Sequence, residues 1–135
     1  MPETEDSSDE RLKDNITEIP NAIDKIKELK GVTFEWQGNG AKDFPHIDGT
    51  KDIGVIAQDV QKVLPEAVEA APFDLEKEME ENSDGSFTEK LTSKSGKDYL
   101  TVHYEKLIPV LIQGMKEQQA LIEALQTKVA ALEGE

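Results

Sequence analysis

The stretch IPVLIQGMKEQQALIEALQTKVAAL, residues 108–132, decides the architecture of this chain. Its apolar side chains recur at alternating steps of three and four residues, which is the spacing of a coiled-coil seam. The seam is formed by Ile108, Leu111, Met115, Gln118, Ile122, Leu125, Val129 and Leu132. So narrow a stripe has little to pack on inside a small domain, and we expect its partners to be copies of the same helix. Gln118 gives the seam one polar layer, which is typical of a device that fixes register or oligomeric state.

Composition limits the classes of function. The chain has 135 residues, enough for one domain with an appendage, and because 33% of them are charged we expect an elongated molecule. A net charge of −14 repels phosphate groups and argues against nucleic-acid binding. The absence of cysteine excludes disulfides and thiolate chemistry. The sequence has neither a signal-peptide pattern nor an apolar span, so we expect a soluble, cytoplasmic chain without membrane contact.

The first half of the chain predicts a helix followed by a β-hairpin. Isoleucine and leucine recur at three- and four-residue steps, so we expect a helix that starts near Pro20 and runs to about Leu29, with Gly31 placed to end it. The alternating residues 32–36 and the apolar residues 53–57 predict two strands. Between them glycine, proline and aspartate are frequent, which is typical of a long turn.

The middle of the chain predicts short elements and an exposed excursion. Residues 58–66 continue as one or two helical turns that Pro65 closes, and residues 67–70 predict a further short strand. Residues 72–98 are poor in apolar side chains, so we expect an excursion containing a hairpin with the turn NSDGS, residues 82–86. Together the pattern predicts an α+β fold: a small mixed domain with short strands and hairpins, an N-terminal helix and a long C-terminal coiled-coil helix.

Two polar stretches have part of the pattern of a metal site. DFPHIDG contains Asp43, His46 and Asp48, but two or three further ligands would have to converge there, so a polar turn is the simpler interpretation. ENSDGSF has some of the spacing of a calcium loop, but Leu91 stands where a bidentate glutamate is required. We therefore expect neither a metal nor another cofactor.

A serine and a lysine near the N-terminus offer nucleophilic chemistry under a strict geometric condition. Ser8 and Lys13 lie roughly 140° apart on a straight helix and about 17 Å apart in an extended strand. Only a turn between them brings the hydroxyl and the amine within hydrogen-bond reach. The amine must also be neutral to act as a base, which requires partial burial or a nearby cation such as Arg11. The spacing alone is a common coincidence.

Four separated blocks in a fixed order carry a family resemblance. They are SDERLKDNI (8–16), AIDKIKELKGVTFEW (22–36), IGVIAQDVQKVLPEAV (53–68) and VHYEKLIPVLIQGMKEQQALIEAL (102–125). In this order the chain resembles the C-terminal intramolecular chaperone auto-processing domain of bacteriophage endosialidase tailspikes, tail fibres and neck appendages. The resemblance implies a homotrimeric domain that assists the folding of an upstream β-rich passenger in the same precursor and then cuts itself off.

The same resemblance implies the site residues. Ser8 matches the nucleophile of a Ser-Lys dyad, and Lys13 matches its base. Asp9 and Arg11 complete the motif, and the bond between Ser7 and Ser8 is the expected cleavage site. The chain is thus expected to be a serine endopeptidase that cuts itself once, in cis.

The resemblance also implies a division of the chain. We expect residues 1–7 to be the remnant of the upstream passenger or a tag, and residues 8–107 to be the chaperone and auto-processing core, with 72–98 as an extended arm. Residues 108–133 are the expected trimeric coiled coil. The expected place of action is the host-cell cytoplasm during virion assembly, with release of the domain from the mature virion fibre.

Two other functions stay open at this point. One is a non-catalytic trimerisation or interaction module in which Ser8 is inert. The other is a helical adaptor that binds the coiled coil of another protein and has no chaperone role. Cleavage of a precursor distinguishes the first from a self-cleaving chaperone, and the oligomeric state distinguishes the second.

Overall fold

The computed structural model of the chain describes residues 7–37 and 49–134. Within these ranges, the chain forms α-helices and short strands, with 3₁₀ turns at several of the connections. The elements are α1 (Ala22–Lys27), β1 (Val32–Glu35), β2 (Lys51–Gly54), α2 (Ala57–Val63), β3 (Val68–Ala70), β4 (Leu75–Glu81), β5 (Phe87–Ser93), β6 (Leu100–Val102) and α3 (Leu107–Glu133). The predicted α+β class is confirmed, with a C-terminal helix of 27 residues.

The strands form antiparallel pairs. Among the described residues β1 pairs with β2, β3 with β6, and β4 with β5. The β1–β2 pair sets Val32 opposite Gly54 and Glu35 opposite Lys51, which is the first predicted hairpin. The β3–β6 pair joins the middle of the chain to the segment just before α3. This pairing closes the excursion between the two strands, and α1 meets the long helix by packing directly on it.

Two element boundaries differ from the sequence prediction. The strand predicted over residues 53–57 ends at Gly54, because the carbonyl of Ile56 already accepts the amide hydrogen bond of Val60 at the start of α2. A short apolar run does not distinguish a strand from a buried helical turn, which explains the error. The first helix is also shorter than predicted at both ends. Asn21 takes a left-handed conformation (φ 54°) directly before it, and after Lys27 the amides of Glu28 and Leu29 bond to carbonyls three residues back.

The hairpin predicted in the exposed excursion is present as β4–β5. Its turn lies at residues 82–86, where the Asn82 amide donates to the Ser86 carbonyl over 2.7 Å. Gly85 takes a positive φ of 86° there, a conformation that glycine adopts without steric cost. Asp84 secures the turn by accepting the Ser86 amide at 2.9 Å. The stretch with partial calcium-loop spacing is therefore a hairpin turn.

The core is small and lies where α1, α2 and β3 meet the first turns of α3. Among the described residues the buried apolar side chains are those of Ala22, Val60, Ala67, Ala71 and Val110. α1 packs on α3 at Gly114, where an added Cβ would collide with the side chain of Ile26. A core of this size supplies little hydrophobic free energy, which favours stabilisation by assembly.

The outer face of α3 carries the predicted seam. Its seven apolar side chains are between 48% and 71% exposed, and Gln118 is exposed with them. The single chain therefore presents an apolar stripe to solvent from Ile108 to Leu132. No helix in the described ranges, α3 included, is both long enough and apolar enough to cross a membrane.

Candidate active site

The N-terminal segment folds into the kind of turn that the serine–lysine spacing requires. A 3₁₀ turn over Glu10–Leu12 reverses the chain and is closed by a hydrogen bond from the Lys13 amide to the Glu10 carbonyl (3.1 Å). It brings Lys13 Nζ to 2.7 Å from Ser8 Oγ, where the amine donates a hydrogen bond to the hydroxyl oxygen. We call residues 8–13 the Ser8–Lys13 turn.

Asp9 and Arg11 stabilise this turn. Asp9 Oδ1 accepts the Arg11 amide at 2.8 Å, and the same carboxylate binds the guanidinium through Nε at 3.0 Å and a terminal nitrogen at 2.8 Å. The hydrogen bonds from Arg11 lower the pKa of Asp9, and the carboxylate raises the pKa of Arg11. The sequence offers Arg11 as a nearby cation that would favour a neutral Lys13. In the structure Arg11 is paired with Asp9, and its effect on Lys13 stays a prediction.

The Ser8–Lys13 turn is open to solvent in the single chain. All side chains of residues 7–18 are exposed, including Ser7 on the far side of the predicted cleavage site. A lysine acts as a base only in its neutral form, which a dry environment favours. The chemistry of a Ser-Lys dyad therefore requires cover from a surface beyond the turn. Leu12 and Ile16, 73% and 63% exposed, are the apolar side chains on its flank.

A second polar cluster, which the sequence pattern does not predict, lies at the base of the β4–β5 hairpin. Asp74 is 3% exposed. Its carboxylate accepts hydrogen bonds from the Ser93 hydroxyl (2.6 Å), from the amide and hydroxyl of Ser95 (2.9 and 3.0 Å) and from the Tyr99 amide (3.4 Å). We call these four residues the Asp74 cluster. It fixes the loop after β5 against the start of β4.

The electrostatics of the Asp74 cluster favour a charged carboxylate. The Ser93 hydrogen bond makes the largest contribution to a lowered pKa of Asp74; burial opposes it, and the Ser95 amide adds to the lowering. The sequence signal is the run SKSGKD, residues 93–98, because serine and glycine at that density mark a tight turn. The run does not reveal which carboxylate the turn closes on.

The predicted polar turn with a lone histidine lies outside the described residues, together with Asp43, His46 and Asp48. Within the described ranges, no group of histidine, aspartate and glutamate side chains is placed to hold a metal ion. The serine–lysine contact is therefore the feature of the described chain that best fits a chemical site.

Comparison with known proteins gives a family and a set of relatives. Residues 8–69 match the model of a peptidase family described as chaperone of endosialidase. The chain is 31% identical over 125 residues to long tail fiber protein Gp37 of Enterobacteria phage K3 and of phage T2. Each match covers 90% of this chain, which spans 8% of the first relative and 7% of the second.

A third relative, long tail fiber protein Gp37 of Enterobacteria phage Ox2, is 31% identical over 121 residues, which are 89% of this chain and 39% of that protein. The four sequence blocks predict this kinship, and the family match starts at Ser8, the first residue of the first block. The predicted resemblance is confirmed: residues 8–69 match the model of the endosialidase chaperone family.

Proposed function

We propose that this chain is a self-releasing intramolecular chaperone of a phage fibre or spike. It trimerises through α3, assists the folding of an upstream β-rich passenger in the same precursor, and then cuts the bond between Ser7 and Ser8. The observation that carries the proposal is the 2.7 Å contact between Lys13 Nζ and Ser8 Oγ, in a turn that begins where the family match begins. The description of the family and the tail fibre relatives support a chaperone role in fibre assembly.

Cleavage proceeds through an ester. Neutral Lys13 Nζ accepts the proton of Ser8 Oγ while that oxygen adds to the carbonyl carbon of Ser7. The C–N bond between the two serines breaks, and the Lys13 ammonium gives its proton to the departing Ser8 amine. Water then hydrolyses the ester between the Ser7 carbonyl and Ser8 Oγ. The products are a carboxylate on Ser7 and a free amine on Ser8, and Lys13 ends neutral as it began.

Assembly supplies the dry surroundings that this chemistry needs. Ser8 and Lys13 are exposed in the single chain, and the flanking Leu12 and Ile16 are apolar and exposed. A surface of the trimer or of the passenger that buries these two side chains also removes water from the Lys13 amine, which favours its neutral form. The cut is thereby delayed until the passenger has assembled.

The exposed seam of α3 supports the trimer. Each apolar seam side chain that a copy of the helix covers contributes roughly 1.5–3 kcal/mol. A β-rich passenger is dominated by contacts between distant residues, which form slowly because long loops must close first. A helical bundle holds the ends of three chains together. The passenger chains then associate within one tethered complex and do not have to meet by diffusion. The trimer would therefore speed the folding of its passenger.

The β4–β5 hairpin supports a further contact with the passenger. Its register places Met79, Phe87 and Leu91 on one face, and these side chains are 63%, 61% and 59% exposed. On the same face they stand opposite Glu89, Glu81 and Lys77, respectively. A two-stranded hairpin is marginally stable by itself in water, so this mixed face of apolar and charged side chains gains from a partner. In this proposal the hairpin is the arm that lies along the passenger during its folding.

The test is cleavage of a precursor in which the chain follows its natural upstream segment. On a denaturing gel, we expect two bands from the wild-type precursor and one band from each of the variants Ser8→Ala and Lys13→Ala. Ser7→Ala is the matched control, because Ser7 contributes only its carbonyl group and the variant should still be cut. A wild-type precursor that stays whole, as the Ser8→Ala variant does, contradicts the proposed cleavage.

A non-catalytic trimerisation module is the second candidate function, and the exposure of Ser8 and Lys13 favours it. It predicts a trimer in sedimentation experiments and an uncut precursor on the gel. A monomer in sedimentation contradicts both trimeric functions and supports the helical adaptor. The gel and the sedimentation experiment together therefore separate the three functions.

A further inference from the structure

The carboxylate of Glu117, on α3, binds the N-terminal end of α1 across 95 residues of sequence. Its Oε2 accepts the Ala22 amide at 2.7 Å, and its Oε1 accepts the Ile23 amide at 3.0 Å. The residue before the helix, Asn21, has a left-handed backbone and its side chain makes no capping hydrogen bond. Glu117 therefore does for α1 what a local capping side chain does for other helices.

Neighbouring contacts attach the same part of the chain to the same turn of α3. Lys116 Nζ lies 3.6 Å from a carboxylate oxygen of Glu18, four residues before α1. Gly114 lets the side chain of Ile26 approach the helix backbone closely. The amides of Ile23 and Ala22 lower the pKa of Glu117, which keeps the carboxylate charged. α1 and its lead-in are thus fixed to the stretch of α3 just before the polar seam layer.

We propose that Glu117 is a positioning residue for self-cleavage: by holding α1 it fixes where the Ser8–Lys13 turn lies relative to α3. This inference rests on the proposed function, since it assigns a residue to that reaction. Residues 14–21 connect the turn to α1 without a helix or a strand, so α1 is the first helix or strand that anchors the turn. The turn is exposed, and the surface that covers it must meet it in a defined place.

The experiment compares charge-removing variants of the precursor on the same helix. Glu117→Gln keeps one acceptor oxygen, and Glu117→Ala keeps none. We expect cleavage per trimer to slow by roughly tenfold for Gln and by up to about a hundredfold for Ala, because a small displacement of a reacting group has effects of this size. Glu123→Gln is the matched control, because Glu123 bonds only along α3, to Gln119 at 3.1 Å, and should cut at the wild-type rate.

A second control separates positioning from general loss of stability. Val60→Ala opens a cavity in the core and is expected to lower the melting temperature while cleavage per trimer stays at the wild-type rate. Sedimentation measures the trimer fraction of every variant, and the trimers of the Glu117 variants should form normally. A Glu117→Ala trimer that cuts at the wild-type rate overturns the inference. So does a loss of rate that merely follows the melting temperature, as in Val60→Ala.

A further measurement tests the positioning even if no precursor is cut. The chain has no cysteine, so spin labels attach only to cysteines introduced at Asp14 and Gln126. Labelled chains diluted with unlabelled copies report the distance within one protomer. We expect a single narrow distance in the wild-type background and a broad distribution with Glu117→Ala. An unchanged distribution overturns the inference, whereas an uncut wild-type precursor with the expected broadening contradicts only the proposed cleavage.

Discussion

The Ser8–Lys13 turn and the Asp74 cluster are both built from serine hydroxyls beside a charged group, and they differ in burial and in the charge of the partner. Ser8 is exposed and lies 2.7 Å from a lysine amine. Ser93 is half-buried and donates its hydroxyl proton at 2.6 Å to the buried carboxylate of Asp74. The first hydroxyl keeps its proton available, whereas the second has its proton committed to a hydrogen bond.

Under the proposed function, this difference separates a chemical site from a structural one. The lowered pKa of Asp74 makes its carboxylate a weak base, so it holds the Ser93 hydroxyl by a hydrogen bond without taking its proton. A lysine amine is a strong base once it is neutral, and burial favours that neutral form. The Asp74 cluster is complete within one chain. In the proposed reaction Ser8 and Lys13 are the reacting groups, and in the single chain their turn is exposed to solvent.

Ser8→Ala and Ser93→Ala test this separation with the largest expected effect. Ser8→Ala removes the nucleophile and should slow cleavage of the precursor by roughly 10⁴-fold or more. Because Ser8 is exposed, the variant should keep the melting temperature of the wild-type chain. Ser93→Ala should lower the melting temperature and leave the cleavage rate unchanged. Gel time courses and circular dichroism melts measure the two quantities. Similar effects of both variants on cleavage would show that the clusters are not distinct in function.

Leu125→Asp should have the next largest effect, on assembly. It places three charges in one seam layer and removes three apolar contacts, so the trimer should weaken by about 10³-fold or more. Thr127→Asp adds the same charge on the opposite side of α3 and is the matched control. Sedimentation velocity measures the change. We expect Leu125→Asp to stop cleavage and to leave the Asp74 cluster intact; a normal trimer would show that the seam is not the interface.

The pH dependence of stability should come from Asp74 rather than from Asp9. Both pKa values are lowered in the folded chain, so the unfolded chain binds protons more tightly at these carboxylates. The stability they contribute is fully present above the ordinary pKa of 3.8 and is lost as the pH falls below it. Asp74→Asn should therefore lower the melting temperature clearly at neutral pH and less in acid.

Asp9→Asn is the control for that series, since its carboxylate side chain is 44% exposed and solvent screens its pairing. Its melting temperature should stay close to that of the wild type at every pH. Thermal melts across the acid range measure both variants. If Asp9→Asn reproduces the Asp74→Asn profile, burial does not explain the difference between the two carboxylates.

Asp9→Ala should have the smallest effect on cleavage. It removes the side chain that caps the 3₁₀ turn, so the turn is populated less and cleavage should slow by about two- to fivefold. Glu10→Ala removes a neighbouring carboxylate from the same turn and controls for the change in charge. Single-turnover time courses resolve differences of this size. A complete loss of cleavage with Asp9→Ala would mean that the carboxylate takes part in the chemistry.

The features of the fold and of the site that the sequence predicts depend on residues that lie close together along the chain. The alternating three- and four-residue steps from Ile108 to Leu132 depend only on neighbours along α3, and the helix follows them for 27 residues. The hairpin turn at 82–86 has the same local origin, since glycine at position 85 supplies the required positive φ. The condition that a turn must join Ser8 to Lys13 follows from backbone dimensions alone.

The features that the sequence does not predict depend on contacts between residues that lie far apart along the chain. Nothing near Glu117 in the sequence indicates that it caps a helix 95 residues away. Asp74 stands in a polar stretch, where a buried carboxylate and an exposed one have the same sequence pattern. The predicted end of the second strand at residue 57 was wrong because a short apolar run suits a strand and a buried helical turn equally, and the strand ends at Gly54.

The masses of the two products of the wild-type precursor test the central claim most directly. Ser7 and Ser8 have opposite roles in the proposed reaction, one as the carbonyl that is cut and the other as the nucleophile. We predict a passenger that ends at Ser7 with a free carboxylate and a released domain that begins at Ser8 with a free amine. Products that end elsewhere, or a ladder of ends such as a separate protease leaves, would contradict the claim.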